Sequence, residues 1–362
     1  NMFSGIWQTR SVNLTDIARS LNENIRLHAT HKRLSRNLDN IELQERLSTG
    51  LLKMVAERVR PDTRLIVHIY EITKKYASKI EFLADKETDA KAGFKVCEIL
   101  ASQVNSEAYM PMLAHVWSDQ TPGYLSDEKE IQKAVQTVLQ ATEDRGIFYF
   151  DDRSLRGNLI RHLMSDSHAD FVAMVNDVDL IVECRGANAT LKSLCEDVET
   201  PYGKMMFKLV PEGLLGSASQ LDMDLFIHVG SLPIKLLENP RRLSLIALKS
   251  KNRMVGEHLT PIITSKTRLR SRKALMGLVE SFLSMHDVVG LHGELRDKFN
   301  PAGFRVLTYN RLQLLLTLLQ AVICAESSAP GNVAVSDQQY SRQPHDGDMS
   351  RTYYRPEDGL EV

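Results

Sequence analysis

The sequence predicts a mixed α/β fold, a sheet flanked by helices, and three observations support this prediction. Apolar runs of strand length occupy residues 64–70, 93–102 and 109–117. An amphipathic helix follows Ser126, a residue type that favours the N-cap position. The next apolar run, 147–150, is a strand that leads straight into two aspartates. Strands followed by a helix and a further strand are typical of a mixed sheet with helices on its faces.

The composition is that of an ordinary globular protein. Of the 362 residues, 43% are hydrophobic and 25% are charged, which suffices for a sizeable core in one large domain or two to three smaller ones. The formal net charge is −1, so any surface that binds nucleic acid has to be local. The four cysteines have no CxxC spacing and no nearby histidine pair, which argues against a zinc site or a disulfide framework and favours the reducing cytoplasm. They are Cys97, Cys184, Cys195 and Cys324.

No membrane segment is expected. The first ten residues lack the apolar core of a signal peptide. The most apolar run, 312–324, is short and contains Gln313, Thr317 and Gln320, so it predicts a buried helix. From residue 327 to 362 the sequence is polar, and we expect a disordered tail.

Two segments are locally basic. The first follows a short amphipathic helix and has no acid between Arg26 and Leu38, which is helix-turn-helix-like and makes Lys32, Arg33 and Arg36 candidate DNA contacts. The alternative is an ordinary helical bundle with a solvated basic face. The second segment, 241–273, has ten Lys or Arg residues and a single acid, and indicates either a DNA backbone surface or a solvated β face. Its end leads into a helix and supplies four further candidate DNA contacts, Arg268, Arg270, Arg272 and Lys273.

Five segments together resemble the insertion-sequence transposases of the DDE class that carry a β-strand insertion. Two of them are Arg-Gly-Ile-Phe-Tyr-Phe-Asp-Asp-Arg at 145–153 and Lys-Phe-Asn-Pro-Ala-Gly-Phe-Arg-Val-Leu-Thr-Tyr-Asn-Arg-Leu at 298–312. The other three lie at 14–40, 72–83 and 111–135. The match runs with gaps from about residue 14 to residue 325, and its specificity lies in the order and spacing of the segments.

The resemblance implies an RNase H-like mixed sheet flanked by helices. It divides the chain into an N-terminal helical DNA-binding segment at 1–60, the first part of the core at 61–220 and an inserted β-rich subdomain at 221–265. Helices at 266–326 complete the core, and the tail follows. It also implies DNA partners, namely element ends, a possible homodimer by analogy, and a nucleoid-associated location in the cytoplasm.

The class cuts and joins DNA by in-line phosphoryl transfer at two Mg²⁺ ions about 3.5–4 Å apart, held by three carboxylates from two strands and a later helix. Matched residue by residue, the first catalytic aspartate falls on His68, the second on Asp151 and the glutamate on Val289, or Gly290 if the register slips by one. A second acid that is frequent three residues after the first falls on Glu71.

The sequence around these positions also departs from the class. Its tyrosine, arginine and tryptophan signature falls on Phe282, Met285 and His286, and an expected strand arginine is Met174. After Asp151 the class tends to have an Arg-Gly-Gly-Asp-Arg run, of which only Arg156 is matched here. His68 is a poor Mg²⁺ ligand and Val289 is no ligand, so we expect no two-metal site, with Asp151 as a residual acid.

Three hypotheses follow for the function. The first is a catalytically defective transposase homologue that still binds DNA. The second is an active, Mg²⁺-dependent enzyme with displaced acids, for which Glu71, Glu280 and Glu294 are the candidates. The third is an interaction or structural relic, in which Asp151 and Asp152 form a strand-end turn or cap and His68 is a satisfied core histidine.

Overall fold

The computed structural model describes most of the chain. The described residues are 1–73, 80–84, 93–104, 106, 108–150, 159, 163, 169–206, 225–237, 239, 241–252 and 256–328. The expected tail therefore lies outside the described residues, apart from its first two positions. Asp151, Asp152 and Arg156 lie outside them as well.

A large mixed sheet, the predicted architecture, forms the centre of the protein. Eleven strands among the described residues run in the order β3-β2-β1-β4-β5-β11-β10-β9-β6-β7, with β8 paired to β9 off this path. The strands are β1 Arg64–Thr73, β2 Gly93–Ser102, β3 Tyr109–Trp117, β4 Ile147–Phe150, β5 Asp170–Met174, β6 Ile181–Cys184, β7 Ala187–Thr190, β8 Tyr202–Met206, β9 Leu225–Leu236, β10 Arg242–Asn252 and β11 Gly256–Thr264.

The register of the central strands places the end of β4 beside β1. Strand β1 is antiparallel to β2 and parallel to β4, and β4 is parallel to β5. Val67 of β1 pairs with Phe150, the last residue of β4. The carboxyl end of β4 therefore lies beside the middle of β1, directly next to His68.

The β-rich region between 225 and 264 continues the main sheet. Strand β11 is antiparallel to β5, with Ile262 beside Met174, and β10 and β9 follow outward as long antiparallel strands. Their apolar residues alternate between the two faces, so both faces of the extension are buried. The three strands extend beyond their apolar runs, because polar residues at their ends still pair in the ladder.

Helices cover both faces of the sheet. They are α1 Met2–Thr9, α2 Leu14–Ser20, α3 Leu27–Asn37, α4 Ile41–Ala56, α5 Asp127–Thr142, α6 Leu191–Asp197, α7 Arg272–Leu283, α8 Met285–Asp297 and α9 Tyr309–Ser327. Residues of α1–α3 and α7–α9 share one buried cluster with one face, and residues of α4–α6 share another with the opposite face. The predicted cap of α5 is confirmed, since the Ser126 hydroxyl accepts from the Lys129 amide.

The N-terminal helices contact the C-terminal helix α9 through a shared hydrophobic core and through ion pairs. Ile6 and Ile17 are fully buried in the same cluster as the apolar side of α9. Arg10 forms an ion pair with Glu326, and the Arg311 guanidinium binds both carboxylate oxygens of Asp39, at the end of α3. The basic helix α3 is thereby held against the body of the protein.

A buried arginine connects the sheet to the junction of α7 and α8. Arg64, at the start of β1, is only 1% exposed. Its guanidinium donates to the Ser281 carbonyl, the Ser284 hydroxyl and the Ser102 hydroxyl at 3.1, 2.7 and 2.9 Å. It also donates to the Gln103 carbonyl at 2.9 Å. Burial lowers the pKa of this guanidinium, but the hydrogen bonds to carbonyl and hydroxyl oxygens keep the charge solvated inside the protein.

One apolar stretch has the length of a membrane span. By length and composition alone, 272–303 passes as a helix that could cross a membrane, and 44% of its window is buried inside the protein. Its apolar residues Leu275, Val279, Phe282 and Val288 belong to the core under the sheet. Core helices commonly pass this test.

Candidate functional site

His68 lies on the face of β1 that α8 covers. Side chains of a strand alternate between faces, so His68 shares its face with Ile66 and Tyr70. Its partner across the antiparallel ladder is Glu98 of β2, which is 3% exposed. The first acid position implied by the resemblance thus adjoins a buried carboxylate on the neighbouring strand.

Glu98 is the centre of a buried ionic cluster, which we define as Glu98, His292, Arg296 and Tyr70. The His292 Nε2 atom lies 2.5 Å from Glu98 Oε2, and His292 is fully buried. The Tyr70 hydroxyl donates to Glu98 Oε1 at 3.3 Å, and Arg296 Nη1 lies 3.9 Å from Oε2. The Arg296 guanidinium also stacks 3.8 Å above the Tyr70 ring, a cation–π contact.

The protonation of the buried ionic cluster follows from its geometry. Burial by itself raises the pKa of the Glu98 carboxyl, but the charge and hydrogen bond of His292 and the charge of Arg296 outweigh it and lower the pKa. Burial, together with the Glu98 charge, raises the pKa of Tyr70 well above its ordinary value. Glu98 is therefore ionised and Tyr70 is a neutral hydrogen-bond donor at physiological pH.

Helix α8 brings Val289 to the same region. Val289 precedes His292 by three residues and Arg296 by seven, so the three share the side of α8 that faces the sheet. Val289 is half-buried and packs against the core. The helix position at which the resemblance expects a glutamate therefore carries an aliphatic side chain on the sheet-facing side.

The second acid position is next to β1. Asp151 itself lies outside the described residues, but Phe150, which precedes it, pairs with Val67. Of the three positions implied by the resemblance, His68 thus lies on the sheet face that α8 covers, and Val289 lies on the side of α8 that faces this sheet. The third follows the end of the strand parallel to β1.

The displaced acids lie elsewhere. Glu71 is exposed, and alternation along β1 puts its side chain on the face opposite to His68. Glu280 of α7 forms an ion pair with Lys204 at 2.7 Å. Glu294 is exposed on the solvent side of α8, about half a turn away from His292. Among the described residues, the structure does not bring these three carboxylates together.

The other positions of the family signature are packing positions. Phe282 and Met285 are buried in the core, and the His286 ring meets Phe282 edge-on at 5.9 Å. Met174 is 4% exposed and pairs with Ile262. Three of these four side chains are uncharged and buried, and the fourth packs its ring against an aromatic neighbour.

The donor set of the described residues does not fit a divalent cation. Within the described ranges, no group of three or more His, Cys, Asp or Glu residues is placed to hold a metal ion. The carboxylate nearest to His68 in the ladder, Glu98, already contacts His292 and Arg296. Hard cations such as Mg²⁺ need several free oxygen ligands, whereas the side chains that contact Glu98 here are a histidine, an arginine and a tyrosine.

The basic residues of α3 are exposed. Lys32, Arg33 and Arg36 all reach solvent, whereas Thr30 and Leu34 are buried on the opposite side of the helix. Arg33 forms an ion pair with Glu23 from the preceding turn. Lys32 and Arg36 form no ion pair with another described residue.

Some cations of the second basic segment form ion pairs or hydrogen bonds within the protein, and others face solvent. Arg241 and Lys266 both pair with Asp170, and Lys249 donates to the backbone carbonyl of Val198. The four predicted DNA contacts at its end are all exposed and form no ion pair within the described part of the chain. They are Arg268, Arg270, Arg272 and Lys273, which we call the 268–273 surface.

A cavity of about 480 Å³ opens beside the 268–273 surface. Its wall is mainly apolar, with Ile147 and Leu278 among the lining residues, and Arg268 stands at its margin. The Tyr149 hydroxyl at its base is satisfied by the Ser281 hydroxyl at 3.0 Å. The cavity lies at the amino ends of β1 and β4, away from His68.

Sequence reasoning missed the residues that fill the His68 region. Glu98 lies in an otherwise apolar strand, and a lone glutamate between Cys97 and Ile99 is the signal that would have indicated a buried charge. The His-x-x-x-Arg spacing of His292 and Arg296 places two basic groups on one helical side, which is the matching signal.

The likeness of the chain to known proteins is distant. No protein-family model matches the chain, and no curated protein matches it. Among solved structures, the chain is similar to piggyBac transposase in the cryo-EM structure of its synaptic complex with hairpin DNA, at 11% identity and a TM-score of 0.29. The likeness covers 80% of this chain and 60% of that one.

Proposed function

We propose that this protein is a transposase-like DNA-binding protein whose fold no longer holds the carboxylates for two-metal phosphoryl transfer. The observation that carries the proposal is the buried ionic cluster next to His68. Where the DDE class needs free carboxylates from a strand and a helix, β1 carries a histidine and α8 carries Val289, His292 and Arg296. The neighbouring carboxylate on β2, Glu98, is already bound within that cluster.

The strand arrangement supports the RNase H-like part of the proposal. Parallel pairing puts Phe150, the last residue of β4, beside Val67 of β1, and α8 packs on the face to which His68 belongs. His68 and Val289, the two positions that lie within the described residues, share the side of the sheet that α8 covers, and neither is an acid. This favours replacement of the acids over an error of register.

The exposed cations support the DNA-binding part. The four cations of the 268–273 surface have no ion-pair partner among the described residues, whereas Arg241 and Lys266 of the same segment are used for packing. Exposed cations lose little favourable interaction with the protein when they contact a phosphate backbone. The release of counterions from the DNA then makes the free energy of binding more favourable. The family's own targets make duplex DNA the expected partner.

The test is duplex DNA binding as a function of salt. Replacing all four cations of the 268–273 surface by Gln should weaken binding at about 0.1 M salt at least tenfold, and should reduce the salt slope by about 0.9 for each phosphate that is no longer neutralised. The matched control replaces four other exposed cations by Gln. These are Lys53, Lys192, Lys298 and Arg305.

The control has the same net charge as the test variant, so it separates a local surface from overall charge. Equal losses in the two variants would remove the 268–273 surface from the proposal. An absence of DNA binding by the unmodified protein at low salt would overturn the DNA-binding function and favour an interaction or structural role.

A further inference from the structure

Burial divides helix α3 into two sides. Thr30 and Leu34 face the core of the N-terminal bundle, with exposures of 1% each. The opposite side of the helix carries His28, Ala29, Lys32 and Arg36, and all four side chains are exposed. We call these four residues the outer stripe of α3.

The two ends of the outer stripe differ in chemistry. Lys32 and Arg36 are cations one turn apart in the C-terminal half. The N-terminal half carries the small apolar Ala29 and the imidazole of His28, with no acid anywhere on the helix. A stripe made only for a phosphate backbone would gain from cations along its whole length, so the N-terminal half indicates a different contact.

Arg33 has a separate role from its neighbours. Its ion pair with Glu23 and the hydrogen bond of the Thr30 hydroxyl to Glu23 at 2.9 Å tie α3 to the turn that follows α2. The connection from Ser20 to Leu27 is longer than the usual helix-turn-helix turn, so this tie fixes an angle that a short turn would otherwise set. Arg33 is therefore a positioning residue.

We propose that α3 lies in the major groove of duplex DNA, with Lys32 and Arg36 on phosphates and the Ala29 methyl group against the methyl group of a thymine. The proposal rests on the proposed DNA-binding function and assigns it a DNA form and a base contact. An α-helix fits the major groove of B-form DNA, which is about 12 Å wide. Alanine makes apolar contact with the thymine methyl, which is displayed only in that groove.

Charge complementarity supports a nucleic-acid duplex as the occupant, and groove geometry favours DNA over RNA. The cations of the outer stripe have no ion-pair partner among the described residues, and the docked core behind α3 leaves this side open. The major groove of an A-form duplex is too deep and narrow for side chains to read. Binding by α3 is therefore selective for B-form DNA.

The test uses the full-length protein and a duplex selected from a random library for tight binding. Replacing each thymine in turn by deoxyuridine removes a single methyl group. We expect a loss of about fourfold in affinity at one or two thymines and no change at the others. In the Ala29→Gly variant those same positions should become insensitive to the replacement, because the facing methyl group is gone.

Two charge variants complete the test. Lys32→Gln with Arg36→Gln should weaken binding to every duplex alike and reduce the salt slope by about 1.8, and the exposed α4 cation in Lys53→Gln should leave both unchanged. Circular dichroism verifies that the Ala29→Gly helix is folded.

The outcomes separate this inference from the proposed function. If neither deoxyuridine, nor Ala29→Gly, nor the double charge variant changes the affinity for DNA, α3 does not contact DNA. The 268–273 surface then accounts for the binding. Uniform sensitivity to the charge variant without any thymine dependence overturns the base contact. Complete absence of DNA binding overturns the proposed function itself.

Discussion

His292 of α8 and Glu98 of β2 lie 2.5 Å apart in the interior, a histidine–carboxylate contact between residues that are 194 positions apart in the chain. The contact anchors α8 over β1 and β2, beside His68. A carboxylate in this position that binds a metal would have to face open space and water. Here the Glu98 carboxylate faces the imidazole of His292 and the guanidinium of Arg296, so this region is buried in the core.

The first prediction concerns the strength of this contact. Glu98→Ala removes the carboxylate and leaves His292 and Arg296 as buried basic groups without that partner, which should lower the free energy of unfolding by about 3 kcal/mol. Replacing Glu98 and His292 together by leucine should cost less than the sum of the two single changes. Urea unfolding of the unmodified protein, Glu98→Ala, Glu98→Leu, His292→Leu and the double leucine variant measures both quantities.

Glu280→Ala is the matched control for this prediction. It breaks a carboxylate–lysine pair in which both side chains are more than 40% exposed, so it should cost about 0.5 kcal/mol or less. A loss for Glu98→Ala as small as the loss for Glu280→Ala would mean that the buried ionic cluster does not stabilise the fold.

The second prediction is a pH dependence. The pKa of Glu98 is lowered in the folded protein, so its contribution to stability is complete above the ordinary pKa of 4.5 and is lost as the pH falls through the folded pKa. We expect the melting temperature to fall steeply below about pH 4.5. In the Glu98→Gln variant, the free energy of unfolding should fall less steeply at acid pH. We expect its slope against pH to be smaller by up to about 1.4 kcal/mol per pH unit. Identical acid limbs in the two proteins would contradict the assignment.

The third prediction concerns Arg64. Arg64→Met keeps most of the side-chain volume but removes the guanidinium donor from the carbonyl oxygens of Ser281 and Gln103 and from the hydroxyl groups of Ser102 and Ser284. The free energy of unfolding should fall by about 3 kcal/mol or more. Arg46→Met, at a side chain that is 79% exposed, should be close to neutral. Similar values for both variants would show that the buried hydrogen bonds are replaced by water.

The fourth prediction uses two glycines with positive φ. Gly146, just before β4, has φ +96°, and a Cβ atom there would lie 2.7 Å from the Leu65 side chain. Gly123 has φ +76° and open space around it. Gly123→Ala should therefore cost about 1 kcal/mol from backbone strain alone, and Gly146→Ala should cost at least about 1 kcal/mol more. Thermal melts of the two variants compare these costs, and equal costs would contradict the packing of β4 against Leu65.

Much of the fold follows from the sequence pattern. The strands 93–102, 109–117 and 147–150 have the predicted limits, because each apolar run ends at a turn residue or a change of periodicity. Helix α8 is implied by the resemblance but not by the periodicity, because its sheet-facing side mixes Val289 with His292 and Arg296, and Gly290 and Gly293 weaken its helical signal. Polar residues that face a buried carboxylate do not produce an apolar stripe.

The site was predictable only in part. The sequence indicated that His68 and Val289 are not carboxylates, and the structure places both on one face of the sheet. The partners that occupy the region depend on pairing between residues far apart in the chain, such as Glu98 with His292. Likewise, the loop geometry leaves Arg268 exposed and pairs Lys266 with Asp170. A count of charges along the sequence cannot tell such an exposed cation from a paired one.

The most direct test of the central claim is an assay for DNA cleavage under conditions in which DNA is bound. Supercoiled plasmid and duplex DNA are incubated with Mg²⁺ or Mn²⁺ at a protein concentration that shifts all of the DNA in a gel. We predict that the DNA is bound and neither nicked nor joined. Nicking or joining that the Asp151→Ala variant abolishes would contradict the account, because it would require a working metal site beside His68.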